Sequence, residues 1–158
     1  MSDLIGTSFP SVDLLTTDGE KLNLANDLRG SWFILYIYPK DDTPGCTKQA
    51  CGYRDNLTEF EKIGVKVYGL SLDNVESHKS FSDKYSLNFP LLADVKHELS
   101  EKLGSFGDQA FGTQVFKNSL SRDSFLVNPA GQIVQVWRKV NPTATIEETY
   151  EAVKAAQS

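Results

Sequence analysis

From Trp32 to Tyr38 every residue is apolar or aromatic (Trp-Phe-Ile-Leu-Tyr-Ile-Tyr), which predicts a central strand buried on both faces. Pro39 ends it. Thr43 followed by Pro44 has the form of a helix N-cap with proline at the first helical position. Tyr53, Leu57, Phe60 and Glu61 then recur at helical spacing, and Gly64 is the expected stop. Val65 to Leu70 predicts a second buried strand. Asn74 caps a helix carrying Phe81 and Tyr85, Phe89 to Ala93 is a short strand, and His97 to Leu103 a short helix closed by Gly104. Upstream, Phe9–Leu14 and Lys21–Leu24 flank Thr17-Asp18-Gly19 and predict a hairpin. Downstream, Ser124–Val127 and Ile133–Trp137 flank the turn Asn128-Pro129-Ala130-Gly131, and a helix from Thr145 puts Ile146, Tyr150 and Val153 on one face. No clear period runs through 105–121, and a connection of that length often carries function. The order β-α-β-α-β followed by β-β-α implies an α/β sandwich with a mixed sheet, in a single domain over 1–158 without repeats or linkers.

Composition narrows the partners. The net charge of −5 disfavours nucleic acid and anionic membrane surfaces. No apolar run approaches the length of a membrane span, and Met1-Ser2-Asp3-Leu4-Ile5 lacks the basic start and apolar core of a signal peptide. Two cysteines in such a chain point to a reducing compartment. The cytoplasm is the expected location, and the mature form of an organellar protein fits as well.

Both cysteines fall in Thr43-Pro-Gly-Cys46-Thr-Lys-Gln-Ala-Cys51, directly after the central strand. A cysteine in the first turn of a helix faces unpaired backbone N–H groups and the positive end of the dipole, and both favour the reactive thiolate. A second thiol nearby gives an oxidised first cysteine somewhere to go. On one regular helix, five residues correspond to about 7.5 Å of rise and roughly 140° of rotation. The Cα atoms then lie on the order of 8–9 Å apart, beyond the roughly 7 Å reach of a disulfide. A Cys46–Cys51 bond therefore requires this turn to unwind. Gly52 eases that, since interior glycine costs a helix about 1 kcal/mol relative to alanine. Spacing alone leaves a second reading open, two unconnected cysteines of which one is a buried small hydrophobe.

Pro39-x-x-x-Thr43-x-x-Cys46 resembles the active-site signature of peroxiredoxins, and Tyr38-Pro-Lys-Asp-Asp-Thr-Pro-Gly-Cys-Thr47 with Ala50-Cys51-Gly52 and Arg54-Asp55 is similar to the bacterioferritin comigratory protein, or Q-type, subgroup. The likeness extends to Asp27-Leu-Arg-Gly30, to Phe89-Pro-Leu-Leu-Ala-Asp94 and to Arg122-x-Ser-Phe-Leu-Val-Asn128. It implies a thioredoxin-like fold, with a central mixed sheet flanked by helices and an N-terminal hairpin. Cys46 then matches the peroxidatic cysteine, which attacks the O–O bond, and Cys51 the resolving cysteine. Thr43 matches the threonine that contacts thiolate and peroxide, Pro39 the proline that shields the thiolate, and Arg122 the arginine that arrives from a distant strand. Charge developing on the leaving oxygen needs donors aimed at it; Thr43 O–H, the Gly45 and Cys46 amides and the Arg122 guanidinium can supply them. Gln49 stands where many relatives carry Glu and can still bridge to an arginine. Ser121 and Asp123 flank Arg122 where an apolar neighbour is expected. The resemblance further implies hydroperoxide substrates, recycling by thioredoxin or a similar dithiol reductant, a monomer and no cofactor.

Other residues have blander readings. Arg29, Arg54 and Arg138 are expected to be solvated or structural, and His78 and His97 surface or helix-cap residues. The x4 cysteine spacing without a His-x3–5-His pair argues against zinc. Phe116 and Trp137 are read as core packing ahead of pocket lining. Two competing functions use the same cysteines. A thiol–disulfide oxidoreductase would want Cys-x-x-Cys, and a redox sensor would react once and stop.

Overall fold

The computed structural model describes residues 4–111 and 113–157. Residues 1–3, on which the reading of the N-terminus begins, and residue 112 of the aperiodic stretch lie outside them. Among the described residues, nine strands and five helices follow in the order β1 (Asp13–Thr16), β2 (Lys21–Asn23), α1 (Leu24–Asp27), β3 (Trp32–Ile37), α2 (Pro44–Lys62), β4 (Val65–Ser71), α3 (Val75–Tyr85), β5 (Leu91–Ala93), α4 (Glu98–Lys102), β6 (Phe106–Phe111), β7 (Gln114–Leu120), β8 (Asp123–Val127), β9 (Ile133–Trp137) and α5 (Ala144–Gln157).

Seven strands form one mixed sheet in the order β2-β1-β5-β4-β3-β8-β9. β3 lies inside it, parallel to β4 from Trp32↔Val65 to Ile37↔Leu70 and antiparallel to β8 from Phe33↔Val127 to Ile37↔Asp123. The period of two along β3 divides the core. Phe33, Leu35 and Ile37 pack with Leu24, Leu28, Leu99 and Leu103 from α1 and the α4 region. Ile34, Tyr36 and Tyr38 pack with Cys46, Tyr53, Phe60, Phe81 and Ile146 from α2, α3 and α5. The helix carrying both cysteines thus buries its apolar face against the middle of the sheet.

Element boundaries moved where a local hydrogen bond outweighed the apolar pattern. The hairpin begins at Asp13, because Phe9 is anchored in the core with its N–H on Gly131 O, 2.8 Å away. Leu24 opens α1 instead of extending β2, since the Asn23 side chain accepts the Asn26 N–H as an N-cap. β5 starts only at Leu91, after Pro90, which has no N–H to give. The aperiodic 105–121 stretch holds an antiparallel hairpin, β6 with β7, with a register shift between Gly107 and Gln109. Most of β7 faces solvent, so there was no apolar alternation to read.

Candidate active site

β3 and β4 run parallel, and the loop leaving the carboxyl end of β3, with the first turn of α2, forms one side of the site. After Tyr38 the chain passes through Asp42 in a left-handed conformation (φ 58°) to Thr43, the N-cap position of α2. Thr43 makes no side-chain cap; its Oγ1 donates instead to Lys40 O at 2.9 Å. Thr47 N–H bonds back to Thr43 O at 2.8 Å, so the amides of Gly45 and Cys46 lie ahead of the helical ladder. Cys46 is buried, Cys51 half-buried five residues along the same unbroken helix, and both thiols are free.

Arg122 arrives from the turn before β8. Its Nη1 lies 3.4 Å from Cys46 Sγ and donates to Gln49 Oε1 at 2.9 Å. Gln49 is fully buried. Gly45 permits this approach: a Cβ there would sit 2.9 Å from Arg122 Nη2. The polar neighbours Ser121 and Asp123, unexpected from the sequence, fix the backbone on either side of Arg122. Asp123 is fully buried and accepts from Ser105 Oγ (2.6 Å), Ser121 Oγ (2.7 Å), Arg138 Nη1 (2.8 Å) and Lys139 N–H (3.1 Å). Arg138 also donates to Leu103 O, and Val140 N–H holds Arg122 O, each at 2.8 Å. A cavity of about 340 Å³ opens over this group, lined by Pro39, Lys40, Thr43, Gly45 and Arg122 on one side and by Gln114, Phe116 and Ser119 of β7 on the other.

The turn bearing Cys51 is held by different partners. A Cβ on Gly52 would lie 2.8 Å from Ile146 Cδ1, so α2 and α5 meet at this glycine. Tyr53 is fully buried, stacks on Tyr36 at 4.9 Å and shares a 3.0 Å hydrogen bond with Thr149 Oγ1. Burial pushes the Tyr53 phenol up to about 12, against the lowering effect of its hydroxyl partners on α5 and β8. Burial also raises Tyr36 and Tyr38 well above the ordinary tyrosine value, with Asp41 adding to the effect on Tyr38.

Comparison with known proteins agrees with this geometry. Residues 5–136 match the AhpC/TSA family. The peroxiredoxin Bcp of Escherichia coli is 42% identical over 132 residues, 84% of this chain and 83% of that one. The chain belongs to the AhpC/TSA family. It is a peroxiredoxin of the bacterioferritin comigratory, or Q, type, and hence a thiol-dependent peroxidase that uses peroxide and a thiol reductant. Two solved structures share the fold. The Xanthomonas campestris bacterioferritin comigratory protein, studied for alkyl peroxide reduction, is 33% identical over 93% of this chain and 92% of its own, with a TM-score of 0.86. A mutant of Xylella fastidiosa PrxQ is 29% identical over the full length of both chains, with a TM-score of 0.90.

In this peroxiredoxin Pro39, Thr43, Gly45 and Arg122 line one cavity; neither cysteine is in its lining, and Cys46 is buried in contact with Arg122. Arg54 turns away, bonding Tyr85 O and Asp55, as expected of a structural arginine. Phe116 is a correction: it is 44% exposed on the cavity wall, in the stretch of β7 that faces solvent. Trp137 packs against the core as read. His97 occupies the N-cap position of α4 and stacks on Phe106 at 4.1 Å, whereas His78, expected at the surface or as a helix cap, lies within α3 and is completely buried. The Asp123–Arg138 network was missed. Its one sequence signal was a pair of polar residues inside an apolar strand pattern, Ser121 and Asp123. No helix among the described residues is long and apolar enough to cross a membrane.

Proposed function

We propose that the chain, one thioredoxin-like domain over 1–158, reduces hydrogen peroxide and organic hydroperoxides with Cys46 as nucleophile. The Cys46 thiolate attacks the terminal peroxide oxygen and the O–O bond breaks. The alkoxide takes a proton and leaves as alcohol (water from hydrogen peroxide), and Cys46 becomes a sulfenic acid. The Cys51 thiol then attacks Cys46 sulfur, expelling water and forming the Cys46–Cys51 disulfide. A dithiol protein of the thioredoxin kind reduces that disulfide and is itself oxidised. Arg122, Thr43 and the Gly45 and Cys46 amides provide donors where charge develops on the leaving oxygen. The Thr43 oxygen also retains lone pairs for a peroxide O–H. Pro39 walls the cavity and limits water at the sulfur. The protein acts as a monomer in the cytoplasm, where the resting thiols stay reduced.

The observation that carries this reading is the 3.4 Å approach of Arg122 Nη1, a residue that lines an open cavity, to the buried Cys46 Sγ. Treating reduced protein with one equivalent of cumene hydroperoxide tests it. The expected product is an intramolecular disulfide with both thiols lost and one equivalent of alcohol released; intact thiols with unreacted peroxide contradict the reading.

A further inference from the structure

α3 carries a wholly buried histidine whose ring is bonded at both nitrogens. His78 Nδ1 lies 2.8 Å from Asp41 Oδ2 and Nε2 lies 2.9 Å from Leu92 O. A backbone carbonyl only accepts, so Nε2 carries a proton. The Asp41 side chain also takes the Tyr38 hydroxyl on Oδ1 and the Ser77 hydroxyl on Oδ2, at 2.8 Å. With a hydroxyl donating to each of its oxygens, the Asp41 side chain has the surroundings of a carboxylate, and Nδ1 facing a carboxylate carries a proton as well. In that arrangement His78 is an imidazolium paired with the Asp41 carboxylate, and both side chains are buried.

The partners of this pair come from four directions. Tyr38 follows β3, Ser77 and His78 belong to α3, and Leu92 belongs to β5. From the end of β4, Asp73 Oδ2 accepts the Asp41 N–H at 2.8 Å and is itself held by Ser71 Oγ at 2.7 Å. The ligand atoms of Asp41, Asp73 and His78 lie within 4.8 Å of one another, but each is already engaged in a hydrogen bond, so the group is a closed network and not an open cation site. At the other end of α3, Lys84 Nζ and Tyr85 O–H bond the side chain of Asp42 at 2.8 and 2.9 Å. The loop between β3 and α2 is thus tied to both ends of α3. That loop contains Lys40, whose carbonyl orients Thr43, and it leads within four residues to Cys46.

We propose that His78 and Asp41 are positioning residues for the peroxide site: their buried ion pair fixes the 38–43 loop, and through it Thr43 and the first turn of α2. The proposal rests on the reading of Cys46 as the nucleophile. A buried ion pair is a poor source of net stability, but its geometry is narrow, and displacement of reacting groups by about 1 Å can cost on the order of a hundredfold in rate.

Two measurements test it. In wild-type reduced protein, 15N NMR of the His78 ring should show both nitrogens protonated at the assay pH, and Asp41→Asn should convert the ring to a single N–H tautomer. A neutral His78 in the wild type overturns the proposal, whatever the variants do. Stopped-flow kinetics then separate the half-reactions. In His78→Leu and Asp41→Asn, oxidation of Cys46 by hydrogen peroxide should slow by roughly tenfold to a hundredfold. Reduction of the preformed disulfide by thioredoxin should stay within about twofold of wild type, a split that general destabilisation would not produce. Unchanged oxidation in either folded variant overturns the proposal, and so does an equal loss in both half-reactions. Failure of the reading of Cys46 would show differently, as wild-type protein that hydrogen peroxide does not oxidise.

Discussion

Two turns of one helix meet opposite demands. The first, around Cys46, is bonded toward the sheet: Arg122 reaches the sulfur and Gln49, and the buried Asp123 network holds the backbone of Arg122. The second, around Cys51 and Tyr53, is bonded toward α5, through the Gly52–Ile146 approach and the Tyr53–Thr149 hydrogen bond. In the proposed cycle, peroxide attack needs the first turn intact, whereas disulfide formation needs the pair to come together, which a regular helix forbids. The difference shows how one segment serves both states. On that proposal the chemistry depends on Arg122, ahead of β8, while the resistance to unwinding is set by α5, so the two can be altered separately.

The largest expected effect separates the cysteines. Cys46→Ser should abolish turnover, since a serine hydroxyl is too weakly acidic to supply the nucleophile. Cys51→Ser should leave the first oxidation of Cys46 near the wild-type rate and stop at the sulfenic acid, open to overoxidation; dimedone labelling and mass spectrometry read this out. Loss of Cys46 oxidation in Cys51→Ser would reverse the roles.

Next come the residues that serve the first turn. Arg122→Ala and Thr43→Val should each lower the rate constant of peroxide attack at least tenfold, by about 1.4 kcal/mol or more, measured by stopped-flow fluorescence. Asp123→Ala, next to Arg122 but outside the cavity lining, should cost stability, about 3 kcal/mol. That lies at the low end for a broken buried pair because the Arg138 side chain is already 34% exposed. Chemical denaturation measures it.

Much of the first turn was legible in the sequence. An apolar run, a proline stop and Thr-Pro before a helical period placed Cys46 at the start of α2, and local rules suffice for such features. The second turn was only half legible. Gly52 read as a weak point of the helix, but whether it touches another element depends on α5, almost a hundred residues further on. The burial of His78 and the role of Asp123 were invisible for the same reason: each polar side chain is satisfied by partners distant in sequence. β6 and β7 escaped because a solvated hairpin leaves no period.

Smaller effects sharpen the role of α5. Tyr53→Phe removes the hydroxyl bonded to Thr149 and should cost about 1 kcal/mol, while speeding disulfide formation after oxidation. Gly52→Ala would gain about 1 kcal/mol of helix propensity, but its Cβ must displace Ile146, so the melting temperature should change little. Alkaline pH acts on the same contact. The unfolded tyrosine ionises near 10 and Tyr53 in the fold at about 12. The folded state keeps a proton the unfolded state has released, so its contribution is intact below pH 10 and declines as pH rises through 10 to 12. Denaturation midpoints at pH 9 and pH 11 should show this loss, and Tyr53→Phe should reduce it.

Amide hydrogen exchange across residues 46–53, in the reduced and in the disulfide form, tests most directly whether one helix serves both states. The reduced protein should protect these amides as part of α2, and the oxidised protein should exchange them faster than the flanking helix from Leu57 onward. Equal protection in both redox states would contradict the unwinding.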